Sequence, residues 1–367
     1  MQASLFRILA INPGSSSTKF GLYENECPKF TKNIRHSEAD LAQFRGHSIL
    51  DQQQFRCGQI ESALGEARHS AYELHTVVGR GGLLPPLASG TYLVSEAMLE
   101  ELRLGKRGEH AANLGAFLAR EIAQKAGVQA YVVDPVSVDE WPAHARLSGS
   151  AQLERQCLSH ALNSKAVAKR YARERGVSYE SLRLVVAHLG SGVSISAHHG
   201  GRMIDVTNSR EEGPFSTERA GSVPAMQLID LCFSGKYTQA QIEDLLFRDG
   251  GLCSYLGTKD LQEVERRIDS GDEKAGVVYE AMVYQAAKEI GAMATVLNGQ
   301  VDAIVVTGGL ANSKRLVSAV SERVHWIAPM VVYPGEDELQ ALAEGALRVL
   351  RNEEPLRVFT SCDENRR

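Results

Sequence analysis

The apolar run Ile8-Leu9-Ala10-Ile11 stops at Asn12-Pro13-Gly14, passes through Ser15, Ser16 and Ser17, and gives way to an alternating stretch from Thr18 to Tyr23. This pattern predicts a β-hairpin over 8–23 whose tight turn is made of small hydroxylated residues. The pattern returns in mid-chain. Leu184-Val185-Val186-Ala187-His188-Leu189 runs into Gly190-Ser191-Gly192, and Val193-Ser194-Ile195-Ser196-Ala197 leaves it in alternation. The two copies lie half a chain apart, the size of one domain, and the sequence therefore reads as a duplicated, hairpin-led α/β domain.

Between the hairpins, Leu114, Phe117, Leu118 and Ile122 keep helical spacing, and Ala130-Tyr131-Val132-Val133-Asp134 is a short strand stopped by Pro135. An amphipathic helix is predicted over 161–172, from Ala161-Leu162 through Val167-Ala168 to Tyr171-Ala172. Short helices are predicted at 238–247 and 259–269. A long one spans 275–297, with Val278, Met282, Ala286, Ile290, Met293 and Leu297 on one side. A buried strand from Val301 ends at Gly308-Gly309. A helix near 312–323, the strand Met330-Val331-Val332-Tyr333 and a last helix from Asp337 to about Leu350 follow. Strands alternating with helices place the chain in the α/β class. The domain boundary falls near 150, at Leu147-Ser148-Gly149-Ser150. The expected division is 1–150, then 151–336, then a last helix over about 337–352 and a polar tail over 353–367.

At 367 residues, two domains are expected. Apolar content of 43% and charged content of 23% are those of a soluble globular protein. The formal net charge of -5 argues against a nucleic-acid partner, so phosphate groups must be held by locally placed cations. The first apolar run is too short for a signal peptide, and no apolar segment reaches the ~20 residues that span a bilayer. The cysteines Cys27, Cys57, Cys157, Cys232, Cys253 and Cys362 are scattered without a C-x-x-C pair. They read as reduced thiols of a cytoplasmic protein.

A glycine-serine turn offers backbone N–H groups and hydroxyls to an anion. Neither hairpin is a Walker loop, because no G-x-x-x-x-G-K-[ST] is present. Neither completes G-x-G-x-x-G, and a strand follows each turn, which excludes a dinucleotide fold. Hairpin-type phosphate binding remains, and two such turns in one chain suggest an ATP-handling enzyme in two lobes.

The opening Asn12-Pro13-Gly14-Ser15-Ser16-Ser17-Thr18-Lys19 resembles the first phosphate motif of the acetate kinase family, and His188-Leu189-Gly190-Ser191-Gly192 resembles the second. Val77-Val78-Gly79-Arg80-Gly81-Gly82-Leu83-Leu84-Pro85 is similar to the butyrate kinase branch of that family; the acetate branch has His where Arg80 stands. His160-Ala161-Leu162-Asn163-Ser164-Lys165 and Tyr333-Pro334-Gly335-Glu336-Asp337-Glu338 are similar to the same branch. The resemblance implies a two-lobed, actin-like (ribonuclease H-like) ATPase fold with a cleft between the lobes. The last helix would return to the first lobe. It also implies Mg2+-dependent, reversible transfer of a phosphoryl group between ATP and butyrate, giving butyryl phosphate and ADP. Kinases for acetate, propionate or isobutyrate, and a non-catalytic ATP-binding protein on the same fold, are the alternatives. A homo-oligomer, at least a dimer, is implied as well.

Roles follow from the resemblance position by position. Asn12, Ser15, Ser16, Ser17 and Lys19 match the first phosphate contact, and His188, Gly190, Ser191 and Gly192 the second. Arg219 matches an essential arginine, His160 an active-site histidine, Asp134 a catalytic aspartate and His110 a further histidine. Glu338, beside Asp337, matches an acidic residue near magnesium, with Asn12 close to it. Gly308 and Gly309 match a loop beside adenosine. Arg80 is assigned to the acyl carboxylate, although the acetate branch places its arginine a few residues earlier. The chemistry agrees with these roles. Phosphoryl transfer needs in-line positioning and charge neutralisation, and an arginine fork can span two phosphoryl oxygens. A carboxylate acceptor is already ionised at neutral pH, so Asp134 is expected to orient a group, not to remove a proton. His198 and His199, at a hairpin tip, read as solvated.

Overall fold

A computed structural model of the chain describes residues 4–69 and 73–360. Cys362 and the rest of the polar tail from 361 onward lie outside the described residues. The chain divides into two compact units. One is built from residues up to 139 together with those from 337 onward, the other from residues 140–336.

The first unit opens with the predicted hairpin, β1 (Arg7–Pro13) and β2 (Ser17–Glu24), which pair antiparallel from Arg7 opposite Glu24 to Pro13 opposite Thr18. A third strand, β3 (Cys27–Arg35), continues the meander, and a short helix α1 (Glu38–Ala42) and a longer one, α2 (Gln53–Glu66), follow. Next come β4 (Thr76–Arg80), β5 (Thr91–Leu93), α3 (Glu96–Leu104), α4 (Asn113–Ala126) and β6 (Gln129–Val133).

The second unit repeats this plan. Helix α5 (Ala161–Arg175) precedes the hairpin β7 (Arg183–Leu189) and β8 (Val193–His199), and β9 (Arg202–Val206) continues it. The helical stretch is α6 (Ala225–Cys232), α7 (Gln239–Phe247), α8 (Gly251–Leu256), α9 (Leu261–Asp269) and the long α10 (Glu273–Val296). Strand β10 (Ala303–Gly308), α11 (Lys314–Val324) and β11 (Met330–Pro334) complete the unit. Helix α12 (Glu338–Leu350) and the short β12 (Arg357–Val358) belong to the first unit.

The duplication shows in the sheets. The first has the order β12-β5-β6-β4-β1-β2-β3 and the second β11-β10-β7-β8-β9. In each, the leading strand pairs antiparallel with the second, the second antiparallel with the third, and the leading strand parallel with the strand on its other side. A further parallel strand, β6 or β11, follows outward. Helices cover both faces, which explains the continuous apolar runs. In the second sheet Val185, Ala187, Ile304 and Val306 pack under α10 and α11, whereas Leu184, Val186, Ala303 and Val305 pack under α5. In the first, Leu9, Ile11 and Val77 pack with α2, α3 and α4. Alternation turns Ile8, Ala10 and Val78 to the other face, and α12 packs against β1, β4 and β6.

Helix α4 comes very close to β4. A β-carbon on Gly79 would lie 2.0 Å from the Gly115 carbonyl oxygen, and one on Gly115 would lie 2.1 Å from the Arg80 oxygen. Among the described residues no helix is long and apolar enough to cross a membrane.

The structure corrects the reading of His198. It is fully buried, with Nδ1 2.6 Å from the Tyr179 hydroxyl and Nε2 2.8 Å from Ser196 Oγ. The strand continues to His199 before turning at Gly200-Gly201, so only His199 reaches solvent. Burial, with the nearby Lys165 charge added, keeps His198 neutral well below the ordinary histidine range.

Two outcomes are expected from this packing. Gly79→Ala has no space for its methyl group, so urea unfolding should show a loss of about 1–3 kcal/mol. His198 stays neutral when folded but takes a proton near pH 6.5 when unfolded, so the unfolded chain binds more protons in acid. The melting temperature should therefore fall as pH drops through about 6.5 and below. His198→Gln should flatten that slope in a pH series of thermal melts.

Candidate active site

Within each unit some of the sequence-predicted residues touch one another: Asn12, Arg80 and Glu338 in the first, and His160 with His188 in the second, whereas Asp134 bonds to Ser89 and Gly90, and His110 to the Ala112 N–H. In the first, Asn12 stands at the end of β1, directly across the ladder from Lys19, so both side chains share a face. Arg80 ends β4, the neighbouring parallel strand, and Glu338 opens α12. Arg80 Nη1 lies 2.8 Å from Glu338 Oε1 and donates to Asn12 Oδ1 at 3.3 Å. Asn12 Nδ2 donates to the other Glu338 oxygen. The three side chains form a closed, largely buried triangle. The adjacent carboxylates now have distinct jobs. Asp337 caps α12 by accepting from the Gln340 N–H at 3.2 Å, and Glu338 turns to Asn12 and Arg80.

Asp134 follows β6 with φ of 38°, an uncommon conformation for a side-chain-bearing residue. Its Oδ1 accepts from Ser89 Oγ at 2.6 Å and from the Gly90 N–H at 2.8 Å, so the carboxylate is buried and fixed. His110 is exposed ahead of α4, where its Nδ1 accepts from the Ala112 N–H at 3.1 Å.

The β1–β2 turn is braced from behind. Arg56 of α2 donates to the carbonyls of Gly14, Ser15 and Ser17 at 2.8, 3.1 and 2.9 Å. The remaining carbonyl, that of Ser16, accepts from the His36 N–H at 2.9 Å. Ser15 and Ser16 are exposed and Ser17 is half-buried.

In the second unit the glycines of the β7–β8 turn clear space for two charged groups. A β-carbon on Gly192 would lie 2.6 Å from Arg219 Nη1, and one on Gly190 would lie 2.8 Å from Glu336 Oε1. The Arg219 guanidinium is thereby laid against the turn and held by the Ser209 carbonyl at 2.9 Å and Ser209 Oγ at 3.2 Å. Its loop is tied to the turn by Ser216, whose hydroxyl donates to the Ser191 carbonyl and accepts from the Arg219 N–H at 3.1 Å. Burial lowers the Arg219 pKa; Glu218 opposes this and Arg210 adds to it. No carboxylate pairs with this guanidinium among the described residues.

His160 occupies the position ahead of α5 but makes no capping bond with its side chain. Its Nδ1 lies 2.9 Å from Ser194 Oγ, and its ring stacks on His188 with centroids 3.9 Å apart. His188 is buried at the end of β7. Its Nδ1 is 2.8 Å from Asn163 Oδ1, and its Nε2 lies 3.1 Å from Glu336 Oε1 without hydrogen-bond alignment. Gly308, at φ of 93°, lets β10 close on β7: a β-carbon there would lie 2.2 Å from the Leu189 carbonyl oxygen. Gly309 next to it faces open space. Arg56, Asn163, Ser194, Ser209, Ser216 and Glu336 were not assigned roles from the sequence. Of these, Glu336, Asn163 and Ser194 lie inside the motifs read from the sequence.

This arrangement of two hairpin-led α/β units superposes on solved acetate and propionate kinase structures. The crystal structure of Porphyromonas gingivalis acetate kinase superposes with a TM-score of 0.77 at 20% identity, covering 94% of this chain and 100% of that one. A propionate kinase from Francisella tularensis gives 0.74 at 18% identity, covering 92% and 98%. Acetate kinase from Entamoeba histolytica gives 0.72 at 16% identity, again covering 92% and 98%. At these identities the likeness carries the fold. Residues 153–331, within the second unit, match the model of the acetokinase family.

The separate roles of the two acidic neighbours can be tested. Asp337→Ala should cost about 0.5–2 kcal/mol through the lost helix cap. Glu338→Ala should leave the cap intact. Amide hydrogen exchange of the Gln340 N–H checks the assignment: it should quicken in Asp337→Ala, whereas Glu338→Ala lowers stability by stranding Arg80 and not by loosening the cap.

Proposed function

We propose that the chain is a short-chain fatty-acid kinase whose preferred acceptor is butyrate, converting butyrate and ATP reversibly to butyryl phosphate and ADP. The observation that carries this reading is the Arg219 guanidinium, laid against the second glycine-serine turn with no carboxylate partner among the described residues. A planar cation in that position suits two oxygens of a transferring phosphoryl group. The choice of butyrate is supported by the Val77–Pro85 segment and the Tyr333–Glu338 segment, which are similar to the butyrate branch.

The acceptor carboxylate is ionised at neutral pH, so the chain need supply no strong base. Asp134, fixed by Ser89 and Gly90, serves to orient a group near the acceptor. His160, steadied by Ser194 and the His188 ring, would donate a hydrogen bond to a phosphoryl oxygen. Ser15 to Ser17, with Lys19, and the Gly190–Gly192 turn would hold phosphate oxygens. Gly309 would leave room beside adenosine.

Among the described residues no group of three His, Cys, Asp or Glu side chains is placed to hold a metal. A magnesium ion carried by a nucleotide needs fewer protein ligands, since phosphate oxygens and water supply the rest. Glu338 and Asn12 are adjacent, but Arg80 and the Asn12 Nδ2 engage the two Glu338 oxygens and Arg80 also donates to Asn12 Oδ1, so in this arrangement the pair does not fit a cation, and the metal is left to the nucleotide. A homo-oligomer is part of the same reading; the exposed Met226, Ile229 and Phe233, on and just after α6, supply apolar surface in its support.

The test is an ADP-coupled assay with hydroxamate trapping of acyl phosphate over two- to five-carbon acids. Butyrate should give the highest kcat/KM, with neighbouring lengths lower by about 1–3 kcal/mol per methylene. Arg219→Ala should lower kcat by about 10³–10⁵. A preference for acetate or propionate would move the acceptor assignment. ATP binding without acyl phosphate would favour a non-catalytic role, and an Arg219→Ala enzyme of near wild-type rate would sink the catalytic map.

A further inference from the structure

Arg56 is fully buried, and every acceptor around it is neutral. Nη1 donates to the carbonyls of Gly14 and Ser17 and to Thr18 Oγ1, the last at 3.0 Å. Nη2 donates to the Ser15 carbonyl, and Nη2 and Nε share Gln52 Oε1 at 2.7 and 3.0 Å. No carboxylate pairs with it among the described residues. Burial lowers its pKa only to about 10, so the charge is present at neutral pH. A buried charge without a counter-ion is costly, and a neutral amide could brace one or two carbonyls without that cost.

A second observation concerns the turn itself. All four carbonyls of residues 14–17 are occupied from the protein side. The N–H groups of Ser15 and Ser16, and the hydroxyls of Ser15 to Ser17, meet no acceptor among the described residues. The turn is thus sorted into carbonyls facing a cation and donors left for an outside group, which is the arrangement of an anion receptor.

We propose that Arg56 is a positioning residue that builds the β1–β2 turn into an anion site and supplies the positive charge behind it, the occupant being a phosphoryl group. This rests on the kinase reading above and adds a residue that touches no substrate. The serines make the contacts. Arg56 fixes their direction and lowers the energy of a dianion in front of them.

The experiment uses Arg56→Gln and Arg56→Lys in the full chain. Inorganic phosphate is the probe, and its effect on the melting temperature is read in an Arg219→Ala background, so that Arg219 does not contribute. A purely structural role predicts a lower melting temperature in buffer and an unchanged rise with phosphate. The proposal predicts that Arg56→Gln abolishes the rise and, with Arg219 restored, raises KM for the acyl phosphate at least about tenfold. Arg56→Lys keeps the charge but cannot reach all the carbonyls. It should keep the phosphate-induced rise while kcat falls about tenfold. A folded Arg56→Gln with a wild-type rise and KM overturns the proposal. If Arg56→Gln does not fold, Arg56→Lys decides, and either a lost rise or a wild-type kcat overturns it. No phosphate-induced rise in the Arg219→Ala parent overturns it as well. Phosphate binding is read without turnover, so a chain that forms no acyl phosphate sinks the kinase reading and leaves the anion-site result standing.

Discussion

Two guanidinium groups, those of the fully buried Arg56 and the half-buried Arg219, have no carboxylate partner among the described residues. Arg56 lies behind the first glycine-serine turn and Arg219 against the second, and each is held by neutral oxygens alone. Taking a cation out of water without an opposing charge is unfavourable, and the fold tolerates it only through a dense set of hydrogen bonds. Much of the local architecture serves that end. Helix α2 enters the core so that Arg56 reaches Gly14, Ser15 and Ser17 of the turn and Thr18 beside it, and the loop carrying Arg219 is stitched to Ser191 through Ser216. Arg80 is treated differently. Its charge is balanced by Glu338, and the pair is locked to Asn12.

The glycines beside these cations act by having no side chain. Gly190 and Gly192 leave room for Glu336 and Arg219, while Gly79 and Gly115 let a helix and a strand approach each other at the backbone. In the first pair the vacated space is filled by a charged group. In the second it is filled by a carbonyl, and the result is a fixed end to the strand that carries Arg80. The same residue type thus sets chemistry in one unit and rigidity in the other.

The parts of the fold that bury simple periodic faces were legible. Both hairpins, α4, α5, α10 and the strand at 303–308 follow from alternation or helical spacing, because tertiary packing reinforces the local pattern there. Strand β3 was not legible: only Phe30 and Ile34 lean on the core, and its other side chains read as a loop. Helix α2 was hidden because Gln52 and Arg56 occupy positions that a pattern reader expects to be apolar. His198 was misjudged because a strand covered on both faces buries its polar residues as well as its apolar ones. Among the site residues, those inside recognisable motifs could be named. Arg56 and Ser216 could not, since their partners lie many residues away and no spacing rule links them; Ser194 lay in the second hairpin motif, but its tie to His160 has no such rule either.

Strand β3 is also one border of the seven-stranded sheet, and borders of sheets invite other chains to add a strand. This one carries Pro28, which lacks an N–H, along with Lys29, Lys32 and Arg35, and Lys29 and Lys32 are tethered to Glu24 and Glu66. The opposite border, β12, is only two residues long. Both borders are therefore poor templates for backbone pairing. The first unit gains protection against fibrous aggregation while its hydrophobic interior remains large.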